Sequence, residues 1–159
     1  MRLDLSGYGR PMIQIVPVVV LKHVVRAPQP DVFRAWTDPL LARGWMAPVG
    51  TVAEHVEIDP RVGGTFLLRG RDEAGALHAV TGHFEEIRRG HHLHQTWTYD
   101  GPNEMLRIGE TIVQVDLLSV GDKATEITLT HRRIVSVDVR NAYRLHWRDR
   151  FEKLHASLA

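Results

Sequence analysis

The chain has 159 residues, of which 43% are hydrophobic and 25% are charged, a composition typical of one globular domain. Its formal charge of +1 gives no electrostatic reason to expect nucleic acid, and the lack of cysteine excludes disulfides, zinc–thiolate sites and thiol nucleophiles. The apolar run at 12–21 is too short to span a bilayer, and no signal-peptide pattern precedes it. We therefore expect a cytoplasmic protein without a membrane span.

The N-terminal region separates into an extension and the start of the domain. Residues 1–11 carry two glycines and a proline and show no sustained period, which predicts a flexible extension. Residues 12–159 are then expected to form a single domain. The β-branched run at 18–26 predicts its first strand.

Two short helices are predicted after this strand. The first begins at Asp31, and Pro39 ends or restarts it, which leaves a second helix over 40–46. Gly44 weakens that second helix, by up to about 1 kcal/mol relative to alanine.

The hydrophobic period then changes to two, which is typical of strands that bury one face. Short links between consecutive strands predict an antiparallel meander, with seven strands in total when the first is included. The six predicted strands of this region cover 51–58, 65–71, 77–87, 91–99, 110–120 and 123–131.

A long amphipathic helix is predicted at 136–158. Tyr143, Trp147, Phe151 and Leu154 recur at three- and four-residue steps, which places them on one face, and Ser136 is the expected N-cap. Because no other predicted element is long enough to cover the apolar face of the sheet, we expect a curved sheet wrapped around this helix, in the α+β class.

The sequence resembles the activator of heat-shock protein 90 ATPase homologue-like family, within the START-like (SRPBCC, Bet v 1-like) superfamily, from about residue 21 to 158. The resemblance implies a START-like helix-grip domain, with a seven-stranded antiparallel sheet around a long C-terminal helix and two short helices after the first strand. The motifs that carry it are Trp-Thr-Asp-Pro at 36–39, Val-Gly-Gly-Thr-Phe at 62–66, Trp-Thr-Tyr at 97–99 and Leu-Thr-His at 129–131.

The chain departs from the family pattern in three places. Gly44 interrupts a run that usually holds two tryptophans, and only Trp45 remains. Gln95 stands where a hydrophobic residue is commoner, and 135–137 replaces an acidic, proline-containing helix start. Because two of these changes affect the expected pocket, no relative's ligand can be assigned to this chain.

An aromatic-lined cavity between sheet and helix is the main functional expectation. It would bind a small hydrophobic or aromatic molecule without a cofactor, because ligand sites are mostly apolar with a few placed polar groups. The alternative is an ordinary packed core. The expected lining residues are Trp45, Met46, His55, Phe66, Leu68, Phe84, Gln95, Trp97, Tyr99, Val113, His131, Tyr143, Trp147 and Phe151.

An enzymatic alternative depends on His131, at the end of the last strand. With Glu110 or Tyr143 as an acid or base partner, it would suit a cyclase, dehydratase or hydrolase of the kinds found elsewhere in the superfamily. The simpler interpretation is a hydrogen-bonded histidine at a strand end, so no catalytic residue is assigned.

A cluster of histidines, His91, His92 and His94, raises the question of a metal site. His92 and His94 share a strand face, but zinc needs a third ligand, for which His78 or His83 was the candidate. The face opposite Trp97 is expected to be solvated, so the sequence predicts exposed histidines and no metal site.

A second alternative is a protein-interaction domain that uses a basic face of the long helix. Arg140, Arg144 and Arg148 form a stripe there, to which Arg132 and Arg133 add charge. No aromatic residues alternate with these arginines, which argues against single-stranded nucleic acid. The usual interpretation is a solvated face, and the sequence leaves open whether two chains pair.

Overall fold

The computed structural model describes residues 16–158, so the predicted extension at 1–11 lies outside the described residues. Every predicted strand and the long helix are found, with ends within two residues of the prediction. The strands are β1 Val19–Val25, β2 Thr51–Ile58, β3 Thr65–Asp72, β4 Leu77–Arg88, β5 His92–Asp100, β6 Glu110–Ser119 and β7 Thr125–Arg132, and the helices are α1 Gln29–Thr37, α2 Pro39–Ala42 and α3 Val137–Leu158.

The second short helix is shorter than predicted. It begins at Pro39, where the Asp38 carboxylate accepts a hydrogen bond from the Leu40 N–H at 2.9 Å. It ends at Ala42 and is followed by a turn that contains Gly44, the residue expected to weaken it.

The seven strands form one antiparallel sheet in the order β1-β7-β6-β5-β4-β3-β2. From β2 to β7, each strand pairs with the next along the chain, as a meander requires, while β1 pairs with β7. With α3 against the inner face of this curved sheet and two short helices after β1, the predicted helix-grip fold is confirmed.

Two β-bulges interrupt the alternation of faces. One lies in β2 between Ala53 and His55, and the other in β4 between Phe84 and Glu86. A bulge inserts an extra residue and thereby changes which side chains face the core. After each of these bulges, side chains that simple alternation would place inside point to the outer face.

Helix α3 begins with the predicted cap, since the Ser136 hydroxyl accepts a hydrogen bond from the Val139 N–H at 3.2 Å. Tyr143, Trp147 and Leu154 are buried, as the helical period predicted. Within residues 16–158, no helix combines the length and the apolar character needed to cross a bilayer.

The core between the sheet and α3 is built on four tryptophans. The Trp36 and Trp45 rings meet edge to face at 4.6 Å, and the Trp97 and Trp147 rings lie 5.0 Å apart. The Trp45 indole N–H donates to the Ala35 carbonyl at 2.9 Å, which fixes the chain after α2 against α1. All four rings are almost completely buried, so they supply much of the hydrophobic stabilisation.

Candidate functional site

A buried arginine lies at the centre of the interior between the sheet and α3. The Arg150 guanidinium carbon is 4.7 Å from the Trp147 ring centre and 5.1 Å from that of Trp97. Its Nε–H donates to the Met46 carbonyl at 2.9 Å. Among residues 16–158, no carboxylate lies within ion-pair distance of it, so its charge is stabilised mainly by the two aromatic faces.

Burial lowers the pKa of Arg150 to about 10, and the nearby Tyr143 and Asp149 oppose that change. The guanidinium therefore stays charged at neutral pH. Its Nη1 atom is buried and has no hydrogen-bond partner in the described part of the chain. An unpaired donor on a buried cation is costly to the folded state.

Gln95 adds a second unpaired polar group to the same interior. It is 1% exposed, and neither its amide nitrogen nor its amide oxygen has a partner among the described residues. Because Gln95 lies two residues before Trp97 on β5, both side chains point to the same face. The unpaired amide and the unpaired Arg150 Nη1 thus belong to one aromatic compartment around Trp97.

His131 is completely buried, and both of its ring nitrogens are in use. Its Nδ1 accepts a hydrogen bond from the Trp147 indole N–H at 3.0 Å, and its Nε2 lies 2.7 Å from the Thr111 hydroxyl. The Thr111 hydroxyl donates to the Trp97 carbonyl at 2.7 Å, so it accepts from the His131 Nε2–H. This network fixes one neutral tautomer of the imidazole.

Burial, with a smaller contribution from the positive charge of Arg150, lowers the pKa of His131 to about 3. The ring is therefore neutral at physiological pH. Since its only lone-pair nitrogen is already bonded to Trp147, His131 positions that indole within the core.

Glu110, a candidate partner of His131 in the enzymatic alternative, does not face it. It is exposed, and its carboxylate lies 3.5 Å from the Arg133 guanidinium on the outer face. Strand alternation turns the next residue, Thr111, inward instead, and the threonine hydroxyl takes the position beside the imidazole. The predicted Glu110–His131 pair is not formed.

Tyr143 does lie beside His131, with ring centres 4.5 Å apart. Its hydroxyl, however, donates to the Leu106 carbonyl at 2.6 Å and not to the imidazole. Burial is the main cause that raises the pKa of the Tyr143 hydroxyl well above its usual range. The hydroxyl therefore stays protonated and holds the 101–109 loop against α3.

His55 also departs from its predicted place. The bulge in β2 pairs it with Arg69 on the outer face, whereas Ala53, two residues earlier, is buried against the core. The His55 imidazole is half-exposed and forms a hydrogen bond with Glu57. It belongs to the solvent-facing side of the sheet.

The other thirteen residues predicted to line a cavity are all buried in one interior between the sheet, α1 and α3. Their rings contact one another, as with the ring centres of Phe66 and Trp97 at 5.7 Å, so these residues form one aromatic compartment. These residues are Trp45, Met46, Phe66, Leu68, Phe84, Gln95, Trp97, Tyr99, Val113, His131, Tyr143, Trp147 and Phe151.

Two concavities of the described residues open to solvent. Groove A, about 860 Å³, is formed by β1, the 103–105 loop and the outward side of α3. Groove B, about 830 Å³, lies between α1 and the β4–β5 turn. Phe151 lines groove A and also packs 6.0 Å from the Trp147 ring, so it separates groove A from the aromatic interior.

Arg150 was absent from the predicted site residues, although its position in the sequence carried a signal. It follows Trp147 by three residues and precedes Leu154 by four, so it occupies a core position of the amphipathic face. A charged residue at such a position points to a buried cation. The arginines at 140, 144 and 148 drew the prediction of a basic face because they form a regular stripe, which Arg150 does not join.

A hydrogen-bonded chain at one end of the sheet was also missed. The Tyr99 hydroxyl lies 2.8 Å from His78 Nδ1 and accepts from the Asn103 N–H at 3.1 Å, while His78 Nε2 lies 2.8 Å from the Asp72 carboxylate. The hydrogen bond from His78 is the main cause that lowers the pKa of Asp72, and burial raises the pKa of Tyr99. Each of these side chains has a hydrogen-bond partner, so the series of hydrogen bonds from Asp72 to Tyr99 anchors the loop that contains Asn103.

The predicted basic stripe on α3 is not a set of free charges. Arg144 donates to the Val20 carbonyl of the edge strand β1 at 3.4 Å, and Arg133 approaches Glu110. Arg148 is exposed and lines groove A. Arg144, Arg133 and Arg148 therefore differ in their roles, which are a contact with β1, an ion pair and part of a groove wall.

With the geometry established, comparisons with known proteins identify relatives. A family model described as activator of Hsp90 ATPase homolog 1-like protein matches residues 26–159, and it confirms the resemblance found in the sequence motifs. A search of curated proteins gives no significant match.

Several solved structures share the fold. A protein from Chromobacterium violaceum is 27% identical, with a TM-score of 0.74 over 89% of this chain and 96% of that one. A protein from Rhodobacter sphaeroides is 20% identical, with a TM-score of 0.76 over 92% and 95% of the two chains. The AHSA1 protein from Silicibacter pomeroyi is 18% identical, with a TM-score of 0.76 over 89% and 96%.

Proposed function

Because the chain belongs to the activator of Hsp90 ATPase homolog 1-like family and has its helix-grip fold, we propose that it binds a small hydrophobic or aromatic molecule between the sheet and α3. One observation carries the proposal: Arg150 and Gln95 are buried among aromatic rings with polar atoms that have no partner in the described residues. A ligand would supply the missing partners.

A core that binds no ligand would be more stable with apolar residues in place of Arg150 and Gln95. Each buried polar group left unpaired costs about 1–3 kcal/mol, and leucine or methionine at these positions would avoid that cost. Arg150 and Gln95 are therefore expensive as packing residues. Their presence is accounted for if a bound molecule accepts a hydrogen bond from the guanidinium.

The same groups define the ligand's chemistry. A guanidinium matches the geometry of a carboxylate, to which it donates two parallel hydrogen bonds. The faces of Trp97 and Trp147 suit an aromatic or flat aliphatic body. The ligand class is thus a hydrophobic molecule with one anionic or strongly accepting oxygen group, and the Gln95 amide adds selectivity.

Entry is proposed to occur beside Phe151. Groove A has the volume of a small-molecule site, for which about 300–1,000 Å³ is usual, and the Phe151 ring separates it from the interior. Rotation of that ring would join the two spaces. The oxygen group of the ligand would then reach Arg150, with the adjoining part of its body beside Trp97 and Trp147 and the remainder in groove A.

The test measures the binding of a panel of aryl carboxylic acids and the matching carboxamides. Binding to the full chain is monitored by its tryptophan fluorescence. We expect the carboxylates to bind at least tenfold more tightly than the amides. Arg150→Met, which keeps the apolar stem but removes the charge, should abolish that preference. Arg140→Met, on the same helix but outside groove A, is the matched control and should retain it.

Native mass spectrometry of the protein purified from its own host complements this panel, because it looks directly for a co-purified small molecule. Absence of binding across the panel, together with apo protein in repeated preparations, would contradict the proposal. Equal preference in the wild type and Arg150→Met would refute the role of the guanidinium.

The alternatives receive less support from the geometry. The catalytic alternative needs a free base, whereas the His131 lone pair is bonded to Trp147 and Glu110 faces solvent. The interaction alternative needs an available basic face, whereas Arg144 and Arg133 already have partners. Neither has an observation in its favour comparable to Arg150 Nη1 and the Gln95 amide, which have no partner in the described part of the chain.

A further inference from the structure

Three potential metal ligands converge on the outer face of the sheet, away from the aromatic interior. Glu86 of β4 and His92 and His94 of β5 each offer a donor atom, and these atoms all lie within 4.8 Å of one another. We propose that these three side chains bind one divalent transition-metal ion of the Zn²⁺ type.

The bulge in β4 is what creates this arrangement. Phe84 pairs with Gln95 on the inner face, and the extra residue in the bulge then shifts the register so that Glu86 pairs with His94. Without that shift, Glu86 would not lie on the outer face opposite His94. The third ligand is therefore Glu86, and not His78 or His83 as the sequence suggested.

The donor set favours a particular class of ion. Two imidazole nitrogens and one carboxylate oxygen suit Zn²⁺ and related transition metals, whereas Mg²⁺ and Ca²⁺ prefer oxygen ligands alone. Three protein ligands leave one tetrahedral position for water. Solvent reaches the cluster because the Glu86 side chain is 67% exposed and that of His94 is 29% exposed.

A second observation supports the site independently of the three ligands. The Asp116 carboxylate lies 2.7 Å from His92 Nδ1, which directs the opposite nitrogen, Nε2, toward Glu86 Oε1 at 2.8 Å. Gln114 donates to the other Asp116 oxygen at 3.2 Å. A carboxylate that orients a ligating histidine in this way is a regular feature of zinc sites.

The negative charge around His92 also supports a bound cation. The prediction of exposed histidines is wrong for His92, whose side chain is only 10% exposed and lies between the carboxylates of Asp116 and Glu86. Glu85, the extra residue of the bulge, adds a third carboxylate 3.6 Å from His94 Nε2. A divalent cation would compensate this concentration of negative charge.

The experiment uses the untagged full chain, freed of metal with a chelator and titrated with Zn²⁺ by calorimetry. Co²⁺ is then added as a spectroscopic probe, because its visible absorption reports the coordination geometry. We expect one ion per chain, bound with a four-coordinate Co²⁺ spectrum. His94→Ala and Glu86→Gln should each weaken Zn²⁺ binding by more than tenfold, and Asp116→Asn by about 10–100-fold.

The matched control is His91→Ala. This residue precedes His92 in the same histidine run, but its imidazole lies 3.0 Å from the Gln29 side chain, outside the cluster. It should leave Zn²⁺ affinity unchanged. An equal loss in His91→Ala, or none in His94→Ala and Glu86→Gln, would overturn the proposal. Both ligand positions are at least partly exposed, and unfolding curves in metal-free buffer verify that the variants fold.

Discussion

The two faces of β5 have opposite surroundings, although their residues alternate along one strand. The inner face presents Gln95 and Trp97 to an aromatic interior in which the Gln95 amide and Arg150 Nη1 have no hydrogen-bond partner among residues 16–158. The outer face presents His92 and His94 to carboxylates on both neighbouring strands. On the inner face, a buried polar group without a partner is costly, which is why it indicates a bound ligand. On the outer face, the evidence for a metal site is the convergence of several donor atoms.

The largest expected effect comes from removing an inner-face contact. Trp147→Ala deletes a completely buried indole and leaves His131 Nδ1 without its donor. We expect the free energy of unfolding to fall by about 3–5 kcal/mol, measured by urea denaturation. If the variant remains folded, its Zn²⁺ affinity should equal that of the wild type. A loss below 1 kcal/mol would show that the interior is not packed around Trp147.

The next effect is a pH dependence that originates in the interior. The pKa of His131 is lowered to about 3 when folded, so on acidification the unfolded chain binds this proton first. Its contribution to stability is complete above about pH 6.5 and is lost as the pH falls toward 3, at about 1.4 kcal/mol per pH unit. Urea denaturation between pH 7 and 4.5 should show this slope.

His131→Leu provides the comparison for that slope. The variant should be less stable at pH 7, because Trp147 and Thr111 lose their partner, but its stability should fall less steeply on acidification. His146, whose pKa is lowered to about 4 mainly by burial, contributes a slope of its own in both proteins. Identical slopes in the two proteins would exclude His131 as a source.

A smaller effect, of opposite sign, is expected at Gln95. Gln95→Leu replaces two unpaired polar atoms by apolar ones of similar volume, and we expect the ligand-free protein to become more stable by about 1–3 kcal/mol. Thermal unfolding would measure it. Destabilisation would mean that the amide has partners in solution, which would weaken the case for a ligand at this position.

The smallest effect is expected on the outer face. Glu110→Gln removes only the exposed contact with Arg133. An exposed ion pair typically contributes about 0–1 kcal/mol to the free energy of unfolding. Denaturation midpoints of the two proteins should almost coincide. A change above 2 kcal/mol would show that Glu110 has an interior contact after all, and the assignment of the two faces would need revision.

Particular residues show which side-chain positions sequence patterns can predict. Val113, Trp97 and Tyr143 were placed correctly because alternation and helical period depend only on local geometry. His55 was misplaced because a bulge between Ala53 and His55 breaks the alternation, and nothing in the local sequence announced it. Glu110 remained a candidate partner of His131 in the sequence, and only its tertiary contact with Arg133 places it on the outer face.

The sequence alone determined the order of strands and helices, the aromatic character of the interior and the family. These follow from period, turn residues and motifs, which are local properties of the chain. Only the tertiary structure decided that the Arg150 guanidinium lies beside Trp97 and Trp147 with an Nη1 atom that has no partner among residues 16–158, and that Glu86 and Asp116 approach His92. Both depend on strand register and helix packing, which bring together side chains that are distant in sequence.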